Sequence, residues 1–445
     1  MVATNVLFFQ MGHMAVVDMT LTAAVTLALG LAFLVLVERP FRSFWAPWFW
    51  LSLGLAFLAK GVFGPALVLA PLSLVLAVRG DRASPSAFLR PNWGMAASLL
   101  LVTGWAAALA HLGGREFLTE VFLRNTLGRF LASPAWVPRT GRLGEHVEPF
   151  GFYLLRTPGN LLPWVAIWAG ALAATFPWRP GQLQDARRSF LPVVFAVDLL
   201  LLSLSKGKRM VYLLPVLPIT FVHGALWLDL QMPKGRARAP ALVLAVLGST
   251  VLLAGLLGVA FPWVVVARVG MHPALALLLA LPPAALTVTA LALLRQRRLP
   301  RVLDLAMAQW TLFLVLFLGI GVPELDREWR PILEPFQLAR RLESRGARVY
   351  EGRLSETQLG YASLEFQHVL PSAASPAAVR AALAEPWPVA LLLETKFYWR
   401  EELQPTLGEV MAVRTVAGGD RKLWDRAPTL VVNEQAAALL KPQGE

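Results

Sequence analysis

The 445-residue chain contains no cysteine. Disulfides, thiolate metal sites and cysteine nucleophiles are therefore excluded, and the redox compartment is left open. Charge is scarce too: 16% of the residues are Asp, Glu, Lys or Arg, against roughly 25% in an average soluble domain. Nucleotide-handling and hydrolytic motifs are also missing. There is no P-loop, no dinucleotide fingerprint, no GxSxG elbow and no HExxH pair. ATP-driven transport has no support, and no nucleotide cofactor is expected. The chain shows neither an internal repeat nor a low-complexity stretch.

What is abundant is apolar sequence, at 56% of the residues. The formal net charge of +13 invites a nucleic-acid partner, but its distribution argues against one. Residues 1–322 carry 26 Lys/Arg against 11 Asp/Glu, whereas residues 323–445 carry 15 against 17. The basic excess lies wholly in the hydrophobic part, in small clusters between apolar runs. A membrane span needs about 20 mostly apolar residues. On that template the sequence predicts ten helices, at 14–37, 44–59, 61–78, 93–112, 152–176, 189–204, 211–230, 240–267, 273–294 and 303–322. Alternate loops hold Arg39 and Arg42; Arg79, Arg82 and Arg90; Arg179, Arg187 and Arg188; Lys234, Arg236 and Arg238; and Arg295, Arg297, Arg298 and Arg301. The positive-inside rule makes these loops cytoplasmic. The loops around Lys60, 113–151, 205–210 and 268–272 then face outside, with the segment after residue 322. Trp45, Trp48, Trp50, Trp164, Trp178 and Trp263 fall near span ends, as interfacial aromatics do. Ten spans with an external C-terminus place the N-terminus outside as well. Met1–Met14 has no signal-peptide pattern, so the expectation is an odd number of further spans upstream.

Residues 323–445 read as a small α/β domain beyond the spans. Helices are expected at Phe336–Ser344 and Ser375–Ala384, and strands at Arg348–Tyr350, Leu359–Val369, Trp387–Glu394, Val410–Val416 and Thr429–Val432.

Several residues stand out chemically. The short external segment holding Lys206, Lys208 and Arg209 runs against the positive-inside bias, as do the basic residues of 113–156. Phosphate groups would compensate, because Arg and Lys bind them through charge-assisted hydrogen bonds. Contact with anionic headgroups, or snorkelling at a helix end, is the other reading. Asp18 opens the first span and is either a functional acid at the membrane boundary or a helix cap. Asp198 lies deep in a span, where a carboxylate is expected to pair with another polar group or be protonated. His146 sits between Glu145 and Glu148 and reads as a surface residue or a metal ligand, although no second His lies at helical ligand spacing. Lys60-Gly61 is either an ordinary helix cap or a cation pointing into the same external cleft as Asp18.

Five stretches, in order, carry a resemblance: Gly12-His13-Met14-Ala15-Val16-Val17-Asp18-Met19, Gly54-Leu55-Ala56-Phe57-Leu58-Ala59-Lys60-Gly61, Phe122-Leu123-Arg124-Asn125-Thr126-Leu127-Gly128-Arg129, then His146, Pro149, Phe152-Tyr153 and Pro163-Trp164, and finally Ser205-Lys206-Gly207-Lys208-Arg209 running on to Tyr212-Leu213-Leu214-Pro215. Together they resemble the glycosyltransferase-C superfamily, in particular its lipid A aminoarabinose transferase branch, with protein O-mannosyltransferases as more distant relatives. The similarity covers residues 1–230; the later spans and the tail match in architecture.

The resemblance implies a mainly α fold, a polytopic membrane helix bundle of the glycosyltransferase-C type (residues 1–322), followed by a small extracytoplasmic α/β domain (323–445). It implies a bacterial inner-membrane enzyme that moves a sugar from a polyprenyl-phosphate carrier to a lipid A-like lipid, a glycan or another acceptor. On this likeness Asp18 would orient or activate the acceptor. Lys60, Arg124, Arg129, Lys206 and Lys208 would hold the carrier phosphate, with Tyr153 and Tyr212 lining the same cavity. His146 would be the ligand of a divalent metal ion. The family's first external loop, with its own acidic residues, precedes the segment matched around Asp18, so the resemblance also implies spans upstream of this sequence. A transporter or flippase for a lipid-linked saccharide is the alternative, and it predicts polar residues spread through both leaflets. A catalytically incomplete fragment of such a transferase is another.

Overall fold

The computed structural model describes residues 1–12, 17–37, 42–79, 83–119, 121–122, 148–175, 186–232, 240–269, 272–394, 411–413 and 428–440. The chain divides into two compact units, Met1–Leu316 and Phe317–Glu445.

The first unit is helical throughout. After a short helix α1 (Val6–Gly12) come α2 (Val17–Val37), α3 (Arg42–Lys60), α4 (Phe63–Arg79), α5 (Ala83–Leu89), α6 (Trp93–Leu118), α7 (Phe152–Asn160), α8 (Val165–Thr175), α9 (Ala186–Leu204), α10 (Leu217–Gln231), α11 (Ala241–Val269), α12 (Pro273–Arg295) and α13 (Leu299–Leu316). A 3₁₀ segment, Met210–Val216, leads directly into α10.

Among the described residues six helical stretches are long and apolar enough to cross a membrane: Val17–Val37, Trp93–Glu116, Met210–Gln231, Ala241–Ala267, Pro273–Arg295 and Leu299–Gly321. Phe63–Val78, Val165–Thr175 and Ser189–Leu204 are shorter apolar helices. The chain is a multi-pass membrane protein. Helices occupy every expected span, with one correction: 152–176 is not a single helix. It breaks between α7 and α8, where Leu161 to Trp164 form a turn. The break is apolar, so hydropathy runs straight across it, whereas Pro163 cannot donate to a helical ladder.

Two buried clusters hold this unit together. One gathers Leu21, Leu29, Phe49, Leu67, Phe190 and their neighbours from α2, α3, α4 and α9. The other centres on Tyr153, Trp164, Leu214, Trp227 and Trp310 and includes Leu7 of the N-terminal helix. Helix α9 serves both: Phe195 and Leu202 belong to the second cluster, Phe190 and Val194 to the first.

The α3–α4 hairpin closes tightly for a local reason. Gly61 has φ +59° and its N–H donates to the Phe57 carbonyl at 2.6 Å, the left-handed cap that glycine adopts without a Cβ clash. A Cβ on Gly64 would fall 2.2 Å from the Ala56 carbonyl oxygen, so only glycine lets α4 approach α3 this closely.

The second unit comprises α14 (Val322–Ser344), β1 (Arg348–Gly352), α15 (Glu356–Phe366), α16 (Pro376–Leu383), β2 (Val389–Glu394), β3 (Met411–Val413), β4 (Pro428–Val432) and α17 (Glu434–Leu440). The strands form one sheet in the order β1-β2-β4-β3; β1 and β2 are parallel, the other pairs antiparallel. Strand β2 is buried along its whole length, which explains its run of apolar residues on both faces. Ala390 and Leu392 face Phe336, Ala339 and Phe366, while Val389, Leu391 and Leu393 face Val379 and Ala382.

Residues 359–369, expected as a strand, are mostly helix α15. The sequence signal was local: Ser355 accepts from the Gln358 N–H and the Gln358 side chain accepts from the Ser355 N–H, a complete capping box. Ala362 and Phe366 then share one buried helical face. Helix α14 is also longer than the expected Phe336–Ser344.

Candidate functional site

Asp18 lies in the first turn of α2, where a carboxylate complements the helix dipole. Its side chain forms an ion pair with the Lys60 ammonium, at the last residue of α3. Both are sheltered, with side-chain exposures of 15% and 26%. Thus both readings of Lys60-Gly61 hold together: the glycine caps the helix, and the lysine reaches Asp18.

Beneath this pair lies an aromatic floor. The Lys60 ammonium is 3.9 Å from the centre of the Tyr212 ring and 5.6 Å from that of Phe63. Such cation–π contacts strengthen as water is excluded. Tyr212 belongs to the 3₁₀ segment, and Tyr153 fixes where that segment begins. The Tyr153 hydroxyl donates to the Arg209 carbonyl at 3.1 Å and accepts from the Arg209 N–H at 3.2 Å. Three residues on, Tyr212 meets Lys60. Tyr153 is fully buried, so the clasp is shielded from competing water.

Just upstream, the 205–209 loop is folded on its own lysine. The Lys208 ammonium donates to the carbonyls of Ser205 and Glu148, the latter at 2.9 Å, and the residue is buried. Burial lowers its pKa, and the Glu148 carboxylate partly opposes the shift. The ammonium has three donors, two of which serve these carbonyls. Lys206 is exposed, and its carbonyl accepts from the Glu148 N–H at 3.4 Å.

The structure therefore brings together Asp18, Lys60 and Tyr212, with Tyr153 and Lys208 bracing the adjoining backbone. Arg124, Arg129 and His146 lie outside the described residues. Among the described residues no three His, Asp or Glu side chains converge as a metal site. The carboxylate of Asp18 is directed at an ammonium, an arrangement that competes with a divalent ion. The described residues thus do not form a metal centre.

Phe63 was missed in the sequence; its cue was its place two residues after the hairpin glycine. Asn5 was missed as well. It is wholly buried, and its amide donates to the carbonyls of Asn160 and Leu162, at the break between α7 and α8. A lone Asn in Val2–Phe9 was the available signal.

Of the two states expected for Asp198, paired or protonated, the structure does not show the paired one among the described residues. The residue is fully buried in α9, and neither carboxyl oxygen has a hydrogen-bond partner there. An isolated buried polar group costs stability that an apolar side chain of similar size does not. Asp198→Leu is therefore expected to leave the thermal midpoint in detergent unchanged or to raise it. A fall of several degrees would mean that Asp198 has a partner whose loss matters.

No family model matches the chain. It is 28% identical over 234 residues to the undecaprenyl phosphate-alpha-4-amino-4-deoxy-L-arabinose arabinosyl transferase of Aeromonas salmonicida, covering 52% of this chain and 40% of that protein. It is 34% identical over 177 residues to transferase 1 of the same description from Sodalis glossinidius, covering 37% of this chain and 28% of that protein. The chain thus matches less than half the length of either relative. Its structure superposes on crystalline ArnT from Cupriavidus metallidurans bound to undecaprenyl phosphate with a TM-score of 0.66 at 18% identity, over 99% of this chain and 79% of that one. The apo form of the same protein gives 0.64. The fold is that of ArnT. This ArnT-like fold is the mainly helical, multi-span architecture with a small α/β unit that the sequence predicts.

Proposed function

We propose that the chain is a membrane glycosyltransferase that moves a sugar from a polyprenyl-phosphate carrier to a lipid A-like lipid or another acceptor at the outer face of the inner membrane. The observation that carries this reading is the sheltered Asp18–Lys60 pair over Tyr212, set in an ArnT-like bundle. Relatives whose names specify an undecaprenyl-phosphate sugar donor support the carrier assignment.

The chemistry follows from charge. An acceptor oxygen attacks the anomeric carbon, the bond from that carbon to the carrier phosphate breaks, and the phosphate leaves with the electron pair. Negative charge grows on the phosphate oxygens, where a preorganised cation stabilises it most effectively. Lys60 is the described cation set to do this, with Lys206 at the neighbouring loop and, on the sequence resemblance, Arg124 and Arg129. Asp18 orients the acceptor and takes its proton where the acceptor carries one. Tyr212 lies against Lys60, buried Tyr153 fixes the segment that carries it, and Lys208 supports the loop while offering its remaining donor to phosphate. His146 keeps only its sequence-based assignment. The basic-loop pattern supports a periplasmic C-terminal unit.

The experiment is a titration of the purified chain in detergent with undecaprenyl phosphate at two ionic strengths. Saturable binding that weakens with salt is expected, since salt screens charge on partly exposed lysines. Absence of saturable binding sinks the carrier assignment. Movement of a lipid-linked saccharide across a proteoliposome membrane, without sugar transfer, would establish the flippase alternative instead.

A further inference from the structure

The C-terminal unit carries a cluster that the transferase reading does not use. Between α16 and β2 runs Glu385-Pro386-Trp387-Pro388, a tryptophan flanked by two prolines whose fixed φ restricts the loop. Buried Asn433 fastens it from below. Its amide donates to the carbonyls of Trp387 at 2.8 Å and Glu385 at 3.4 Å, and its oxygen accepts from the Val389 N–H at 2.9 Å.

Above this support the indole is 40% exposed. Glu385 organises its surroundings: one oxygen accepts from the Tyr350 hydroxyl at 2.8 Å and the other from the Trp387 indole N–H. The Arg348 guanidinium stacks 4.2 Å from the Trp387 ring centre and stands 3.9 Å from the same carboxylate, with 58% of its side chain open to solvent. Arg348 and Tyr350 alternate along β1 and so project from one face. Glu385, as acceptor of the phenolic proton, raises the Tyr350 pKa and keeps its hydroxyl protonated.

A large aromatic left part-open at the surface offers its exposed area to a ligand. This one is held rigid, and rigid presentation lowers the cost of binding. Its chemistry selects the ligand class. A flat indole matches the C–H face of a pyranose ring. Tyr350 and Glu385 supply hydroxyl partners at the rim, and the open guanidinium is a fork for a phosphate or carboxylate. The core of a protein interface has further apolar side chains around its aromatic anchors. Among the described residues of this unit the other large exposed apolar side chains are Leu318, Leu364 and Val369, none of them in this loop.

We propose that Trp387, Arg348, Tyr350 and Glu385 form a binding site for an anionic saccharide, a hexose ring bearing phosphate or carboxylate. The site lies in a unit that contains none of the transferase residues.

Saturation-transfer NMR on the full chain in detergent, with glucose 6-phosphate as the probe, tests this. Transfer to the ring protons is expected. Trp387→Ala should weaken binding roughly tenfold or more, as removal of an aromatic anchor does, while Trp387→Phe retains most of it. Arg348→Gln should erase the preference for glucose 6-phosphate over glucose. Lys60→Met should leave the signal intact, which separates this site from the one proposed for the carrier. The proposal fails if Trp387→Ala binds like the native chain, or if Lys60→Met abolishes the signal. It fails equally if inorganic phosphate or phosphatidylglycerol micelles displace the probe as well as a second sugar phosphate does.

Discussion

Lys60→Met is expected to weaken undecaprenyl phosphate binding roughly ten- to a hundredfold, because a charge-assisted hydrogen bond contributes about 1.5–3 kcal/mol. The same change leaves Asp18 without its cation in a sheltered position. The protein should therefore also lose about 1–3 kcal/mol of stability, the cost of a polar group left unmatched. The two effects can be separated. Asp18→Asn alone removes the carboxylate but keeps the ammonium, so carrier binding should persist while sugar transfer falls. In the double variant, Lys60→Met with Asp18→Asn, stability should recover relative to Lys60→Met, whereas binding should not. Lys60→Arg should restore only part of the binding, since the larger planar fork presents its donors in a different geometry from the compact ammonium beside Asp18. Thermal unfolding in detergent and carrier titration on the four variants provide the readouts. If Lys60→Met binds the carrier as the native chain does, Lys60 is a structural partner of Asp18 and the phosphate role is wrong.

The parts of this site that were legible in the sequence are those governed by local chemistry. An acid at the start of an apolar run, a lysine before a hairpin glycine and a tyrosine after a basic loop each disturb the hydropathy pattern. Their ordered resemblance to glycosyltransferase-C sequences put Asp18, Lys60 and Tyr212 on one surface, and the structure brings them into contact. The spans were legible for the same reason, since lipid demands long apolar runs. What escaped the sequence depends on distant partners. The hydroxyl of Tyr153 clasps the backbone of Arg209, 56 positions away, and nothing near Tyr153 announces this. The turn after Asn160, Leu161-Leu162-Pro163-Trp164, is apolar, so hydropathy hides the break that Pro158-Gly159 announces. Of the two states expected for Asp198, only pairing fails: among the described residues neither carboxyl oxygen has a hydrogen-bond partner. Helix α15 was mistaken for a strand because its mixture of Leu, Tyr and Phe outweighed a capping box that lies just ahead of the misread segment.

Asn5→Leu is the second large effect, and it acts on stability. The Asn5 amide donates to the Asn160 carbonyl at 2.6 Å and the Leu162 carbonyl at 3.1 Å, while its oxygen accepts from the Phe8 N–H at 2.9 Å. Leu162 would stay satisfied, because its carbonyl also accepts from the Val6 N–H at 3.2 Å. The Asn160 carbonyl and the Phe8 N–H would each lose the bond Asn5 supplies, in a site where Asn5 is wholly buried. At about 1–3 kcal/mol for each unmet group, the expected loss is roughly 2–5 kcal/mol, read as a lower thermal midpoint in detergent. Thr4→Ala provides a graded comparison. It removes the hydroxyl that accepts from the Trp164 indole at 3.1 Å but leaves the Thr4 carbonyl for the Trp310 indole, so a loss of about 1 kcal/mol is expected. The effect of Asn5→Leu should also reach the candidate site. Asn5 holds the end of α7, α7 carries Tyr153, and Tyr153 sets the start of the segment that places Tyr212 beside Lys60. At a temperature where Asn5→Leu is still folded, its affinity for undecaprenyl phosphate should therefore fall, while that of Thr4→Ala stays near the native value. Equal melting of Asn5→Leu and the native chain would show that the N-terminal segment is not anchored at the α7–α8 break, and that the Tyr153 clasp stands without it.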